Sequence, residues 1–314
     1  MTEPQQGLGY DEILALARTA EAAGLEAFFR SDHYASFPGP AGEPTTDAWA
    51  TLAGLARDTE RIGLGSLVSP VTFRLPGPFA KLVATVDQMS GGRIEVGLGA
   101  GWNVEDHAQL GIPFPALGDR FAMLEEALAI VHGLWTEPDG WRFDGRYWTV
   151  TGSLFRPRPE RPGRRHPPII LGGKGGPRLA GLVARFADEF NLVSATAPAA
   201  REAYHRIRTA CEAIGRDPAG VGLSAMTGVL IAETDAELKD RVRAQLAMTA
   251  GDQGRDAADA WLAERRSRWI VGTLDEAAER VAELAAAGAQ RIMLQDFLPR
   301  DLDMVRLMGR LAAG

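Results

Sequence analysis

Residues 167–190, PPIILGGKGGPRLAGLVARFADEF, constrain the fold more than any other stretch of the chain. Ile169, Ile170 and Leu171 form a short apolar run with two β-branched residues, which predicts a buried strand. Gly172, Gly173, Gly175 and Gly176 follow, with Lys174 among them. Pro177 then opens an apolar-periodic helix through Leu179, Leu182, Val183 and Phe186. Proline suits the first helical position, where its missing N–H leaves no bond unmade. Strand, glycine-rich turn and helix start together present free backbone N–H groups to a phosphate. Lys174 adds a cation there. The alternative is a tight βα turn with no ligand, although geometry alone rarely calls for four glycines. No Gly-Lys-Ser/Thr is present, so this is not a Walker A loop.

The same strand-then-helix rhythm runs through the chain. Apolar runs predict strands at Leu25–Arg30, Arg61–Val68, Ile94–Leu98, Phe190–Ser194, Leu223–Ala232 and Arg291–Gln295, besides the one before the glycine cluster. Amphipathic stretches between them predict crossover helices. Thr273 with Glu276 is a capping-box start for a helix over 274–287. Trp141–Phe143 and Arg146–Val150 read as a hairpin around a two-residue Asp144-Gly145 turn. Seven strands with crossover helices in 314 residues favour an eight-stranded (β/α) barrel over an open doubly wound sheet. We read residues 1–314 as one domain, with a hairpin excursion near 141–150 and a helical insertion near 240–270 broken at Gly251 and Gly254.

Composition limits the partners. The 34 basic and 41 acidic residues give a net charge of −7, which argues against a nucleic-acid or anionic-membrane surface. Cys211 is the only cysteine, so neither an intrachain disulfide nor a cysteine-based metal site can form. No leader or membrane-spanning apolar run is evident, so a cytoplasmic protein is expected. Basic residues do gather at Arg156, Arg158, Arg161, Arg164 and Arg165, as a solvated loop or as a patch for a polyanionic ligand.

Polar or glycine-rich residues recur where strands end: Asp32-His33, Ser69, Gly99 to Trp102, Gly172 to Gly176, Ser194 and Gln295. In a parallel barrel those ends share one face, which carries the site. His33 is the leading catalytic candidate, because an imidazole at a strand end can exchange a proton near neutral pH. A histidine that only braces a loop is the alternative. Asp32 precedes it on an extended strand, so the two side chains point apart. His107, in Glu105-Asp106-His107, reads as a supporting or surface histidine. Trp102 reads equally as a rim aromatic and a stacking partner.

The motifs SDHY (31–34), LGSLVSPVTFR (64–74), SGGRIEVGLGAGWNVEDHAQLGIPFP (90–115), PPIILGGKGGPR (167–178) and IVGTLDEAAERVAELAAAGAQRIMLQ (270–295) resemble the luciferase-like monooxygenase superfamily, in its coenzyme F420-dependent (deazaflavin) branch. The resemblance implies a TIM-type barrel and an F420 cofactor, with FMN as the alternative. It places Asp32 and His33 beside the reactive ring. Leu67, Val68 and Ser69 would form a strand bulge, often with a non-prolyl cis bond, against the other ring face. Ala100, Gly101 and Trp102 would pass beneath the ring, and Gly172, Gly173, Lys174, Gly175 and Gly176 would hold its phosphate. The basic loop 156–165 would meet the anionic tail. The implied reaction is hydride transfer to or from a small organic substrate, with His33 handling a proton. An FMN-dependent monooxygenase and a non-catalytic flavin carrier are the competing readings, and a homodimer is the implied assembly.

Two departures stand out. Relatives begin with a strand of the MRFGV type, whereas MTEPQQGLGY has no apolar run, so the first barrel strand is absent or reduced to its end. An upstream segment of about 5–6 residues would be expected to supply it. Sugar-phosphate dehydrogenases of the family carry Glu where this chain has Trp102, which disfavours a sugar substrate.

Overall fold

The computed structural model describes residues 1–159, 163–250 and 255–314, with side chains outside 249–258. Arg161 of the basic cluster and the breaks at Gly251 and Gly254 lie outside the described residues. The chain runs through α1 (Tyr10–Ala22), β1 (Ala27–Arg30), α2 (Ala48–Asp58), β2 (Gly63–Pro70), α3 (Pro76–Ser90) and β3 (Ile94–Gly99). It continues through α4 (Val104–Leu110), α5 (Leu117–Thr136), β4 (Trp141–Asp144), β5 (Thr149–Ser153), β6 (Ile169–Gly173), α6 (Pro177–Phe186) and β7 (Glu189–Leu192). The last elements are α7 (Ala197–Ala213), β8 (Gly222–Ala232), α8 (Asp235–Ala250), α9 (Arg255–Arg266), β9 (Ile270–Thr273), α10 (Leu274–Ala286), β10 (Arg291–Asp296) and α11 (Leu302–Ala313).

The seven expected strands pair in parallel in the order β1-β2-β3-β6-β7-β8-β10, and β9 adds to the upper end of β8. Each crossover helix packs its apolar stripe on the sheet, so the main core fills the layer between strands and helices. A smaller core of Phe29, Leu67, Ile170 and Met293 fills the inside of the barrel. Between β1 and β10 the seam is spanned by the chain start, where Thr2 forms single parallel bridges to Arg30 and Asp296. Thr2 N donates to Phe29 O at 2.9 Å, and Asp296 N donates to Met1 O at 2.8 Å. The first barrel strand is thus represented by its end.

Two details differ from expectation. The strand before Ser194 stops at Leu192, because Ser194 turns into the left-handed region at φ 52°. The β4–β5 hairpin has no two-residue turn: Asp144 pairs with Thr149. The Glu126 carboxylate instead accepts the N–H groups of Arg146, Tyr147 and Trp148, which holds a wider loop open. The long polar insertion proves to be two helices, α8 and α9. The end of α8 touches the β1–α2 loop, where a Cβ on Gly39 (φ +118°) would stand 2.9 Å from Met248 O.

Candidate active site

The parallel order brings the C-terminal ends of β1, β2, β3 and β6 to one rim, and side-chain contacts join them. Ser69 Oγ donates to Asp32 Oδ2 at 2.6 Å and accepts from Trp49 Nε1 at 2.9 Å. Arg74 grips Asp32 at 2.6 Å and Asp47 at 2.5 Å. Its Nη2 also donates to the Tyr34 hydroxyl at 3.0 Å. Asp32 and Ser69 are therefore buried members of an ion-pair network under the rim. Burial pushes the Asp47 carboxyl up, but Arg74, the Ala50 amide and Tyr34 outweigh it and hold it below its ordinary value.

His33 stands apart from that network, as expected from its opposition to Asp32. Its partner is Asp106, on α4, with Nδ1 2.6 Å from Oδ2. Asp106 is buried and also accepts the amides of Tyr34 at 2.8 Å and Ala35 at 2.7 Å. Burial raises its carboxyl, yet His33 and those amides hold it below the usual range. A carboxylate can only accept, so geometry assigns a proton to Nδ1. Asp106 escaped the sequence reading because a seven-residue helix does not disclose which of its acids faces inward. His107 beside it is buried rather than on the surface, between Asn103 O and the Thr72 hydroxyl, both at 2.7 Å.

The Leu67–Val68 peptide is cis, at a register shift between Ser66 and Ser69. Val68 turns into the space left by glycines on the neighbouring strands. A Cβ on Gly99 would stand 2.6 Å from Val68 Cγ2, and one on Gly172 3.0 Å from Cγ1. Leu67 is buried in the inner core and Val68 is half-buried, so together they make an apolar floor at the top of the barrel. Ala100 is half-buried on the main core, and its carbonyl, like that of Gly101, accepts from Arg120. Trp102 projects from the rim, 66% exposed.

The glycine cluster divides into separate tasks. Gly172 makes room for Val68. Gly175 adopts φ +66° against Ala203 and Phe190, and its carbonyl accepts from Arg206 at 2.7 Å. Gly173 ends β6, and Gly176 is the N-cap of α6, which has no side-chain cap. The first amides of α6 are thereby open to an anion. Lys174 is exposed beside them and makes no hydrogen bond or ion pair among the described residues. The described residues of the basic stretch lie elsewhere. The stretch leads into Ile169, the opposite end of β6 from the glycines. Arg156 pairs with Asp139 at 2.6 Å, and Arg158 donates to the Trp135 and Glu137 carbonyls at the C-terminus of α5. Those two arginines complement a helix end.

These features fit a planar ring carrying a phosphate: an apolar floor, an imidazole at the side, and an uncapped helix start with a cation. The luciferase-like monooxygenase family model matches residues 1–291, and the chain belongs to that family. An F420-dependent glucose-6-phosphate dehydrogenase of Nakamurella multipartita is 33% identical over 209 residues, 63% of this chain and 59% of that protein. One from Microbacterium testaceum is 29% identical over 92% of this chain and 88% of its own length. The chain thus spans about three fifths of the first of these curated relatives. Among solved structures, an F420-dependent secondary alcohol dehydrogenase with an F420-acetone adduct superposes with a TM-score of 0.80 at 18% identity, over 97% of this chain and 94% of the other. The monooxygenase RslO1 of Streptomyces bottropensis superposes at 0.77 with 24% identity, covering 97% and 92%. Both likenesses establish the (β/α) barrel class. Among the described residues no helix is long and apolar enough to cross a membrane.

Proposed function

We propose that the protein is an F420-dependent oxidoreductase acting on a small organic substrate. The observation that carries this reading is the His33–Asp106 pair on the same rim as the Val68 floor and the open start of α6. The F420-dependent relatives named above support the cofactor, while the shared barrel alone does not separate F420 from FMN. When bound, F420 supplies or takes up a hydride, and the protein contributes position and electrostatics.

Lys174 and the amides of Arg178 and Leu179 would hold the phosphate, and Val68 would back the ring. Asp106 keeps Nδ1 of His33 protonated, so Nε2 exchanges a proton with the substrate as hydride moves. Asp32, fixed by Arg74 and Ser69, would supply negative charge under the ring without moving a proton. The same reading proposes a cytoplasmic enzyme that pairs as a homodimer, which subcellular fractionation and light scattering would check.

Titration of the purified protein with F420 and with FMN tests the proposal. Saturable F420 binding followed by substrate-dependent loss or gain of its oxidised absorbance is expected. Stoichiometric FMN in protein from a host without F420 would favour an FMN-dependent monooxygenase instead. F420 binding without turnover across a broad substrate panel would leave a carrier.

A further inference from the structure

We infer that the substrate is an uncharged, planar, largely apolar molecule, selected by an aromatic rim in which Trp102 is the specificity-determining residue. This rests on the proposed F420 oxidoreductase reading and names what its site takes. Phe37 and Trp102 each meet the His33 ring edge-on, at centroid distances of 4.5 and 5.7 Å, and each other at 5.4 Å. The candidate proton donor therefore sits in an aromatic corner. An indole left 66% exposed in that corner keeps a large apolar surface in water. Leu75, Val104, Leu110 and Leu117, on the segments that follow β2 and β3, are also more than half exposed. The contiguous part of that surface, the Phe37–Trp102 pair against His33, marks a place where something apolar binds.

A second aromatic wall stands over β8 and β10. Trp269 stacks on Phe297, with centroids 5.1 Å apart and planes 15° apart. Its indole covers Gly228, where a Cβ would collide with it. Gly228 lies two residues beyond Met226, on the same face of β8, and Met226 packs against the inner core, so this indole overlies the inner face of the strand. Neither Trp269 nor Phe297 belongs to a motif noted in the sequence.

Charge points the same way. A phosphorylated sugar would bring roughly −1.5 to −2 charges at neutral pH, and the arginines of this rim are already engaged. Arg74 is held by two carboxylates, and Arg120 donates to the Ala100 and Pro115 carbonyls. Lys174 stands at the cradle assigned to the cofactor's phosphate. A substrate anion beside His33 would face Asp106 with no free arginine from β1, β2 or β3.

The test uses protein loaded with F420, after a titration with F420 alone. Calorimetry then compares 1-naphthaldehyde, a neutral planar carbonyl probe, with glucose 6-phosphate. The naphthaldehyde should bind saturably, Trp102→Ala should weaken it about tenfold, and Trp102→Phe should recover most of the loss. Glucose 6-phosphate should bind more weakly, with no dependence on Trp102. The inference is overturned if the sugar phosphate binds more tightly, or if Trp102→Ala leaves naphthaldehyde binding unchanged. It also falls if acrylamide cannot quench Trp102 because a second copy of the chain covers it. Failure of F420 to bind, with Trp102-dependent naphthaldehyde binding retained, would remove the cofactor reading and keep the apolar rim.

Discussion

At the base of the barrel Arg291 bonds Glu95 at 2.7 Å and Glu189 at 3.3 Å; at the rim Arg74 bonds Asp32 and Asp47 at 2.6 and 2.5 Å. Both clusters set one guanidinium among carboxylates, with Glu26 at 3.4 Å as a third partner of Arg291, but they join different parts of the fold. The basal cluster ties β3, β7 and β10, which are not neighbours in the sheet, across the inside of the barrel. The rim cluster ties β1 and β2 to the start of α2. It leaves His33 to a separate acid and leaves the glycine cradle untouched. Their titration differs as well. Burial raises the Glu189 carboxyl despite Arg291, whereas Asp47 is held low. The base is a plug, and the rim cluster is a foundation laid to one side of a working surface.

Substitutions should separate the two ends. The largest effect is expected from His33→Ala: turnover about 10²–10⁴-fold lower, the usual share of general acid–base catalysis, with F420 affinity nearly unchanged. Stopped-flow hydride transfer at the wild-type rate with poor F420 binding would make His33 a binding residue. Asp106→Asn should lower turnover by less and alter its pH profile, because an amide offers His33 no charge. Arg291→Met should act oppositely, costing up to about 3–5 kcal/mol in urea unfolding by stranding two half-buried carboxylates, with F420 affinity preserved. Loss of affinity alongside stability would join base and rim into one unit.

Acid should sharpen the contrast. Asp47 and Asp106 have folded pKa values below their unfolded ones. Their contribution is therefore complete above about pH 4, the ordinary aspartate value, and is lost as pH falls through the folded values. Glu189 is raised, so its charge opposes folding at neutral pH. That cost is relieved as pH falls from its folded value toward about 4.3. Glu189→Gln should accordingly stabilise the protein more at pH 7 than at pH 4.5, read as a difference in urea midpoints. The smallest effect should come from Gly172→Ala, which crowds Val68 and should weaken F420 binding severalfold, with Val68→Ala in the same chain recovering it.

Seven of the sheet strands were legible because apolar runs and glycine stops are local signals, whereas the four-residue β9 beside the Thr273 capping box was not. His33 was legible for the same reason, as a polar residue closing a strand. The Asp106 partnership was not, because it joins residues 73 positions apart. Nor was Trp269, whose meaning depends on a glycine 41 residues earlier lying under its ring. The glycines at 172–176 carried more than one message. The strand–turn–helix pattern pointed all of them at an anion or at a tight turn without a ligand, whereas packing against Val68 explains Gly172 and the turn explains Gly175. The hairpin turn failed because a distant carboxylate, Glu126, captured three amides that Asp-Gly would have left to a tight reversal.

The contact between Gly39 and the Met248 carbonyl carries a consequence for anyone transplanting specificity between relatives. Phe37 sits two residues before that glycine, so one wall of the mouth is carried on a segment whose shape is moulded to the end of α8. A donor loop with any side chain at position 39 would meet both a forbidden dihedral and a backbone oxygen. Grafts of residues 35–47 alone should therefore misfold or gape, and a swap that takes α8 along should seat. Two stretches about 200 residues apart in sequence are, for the purposes of recombination, a single module.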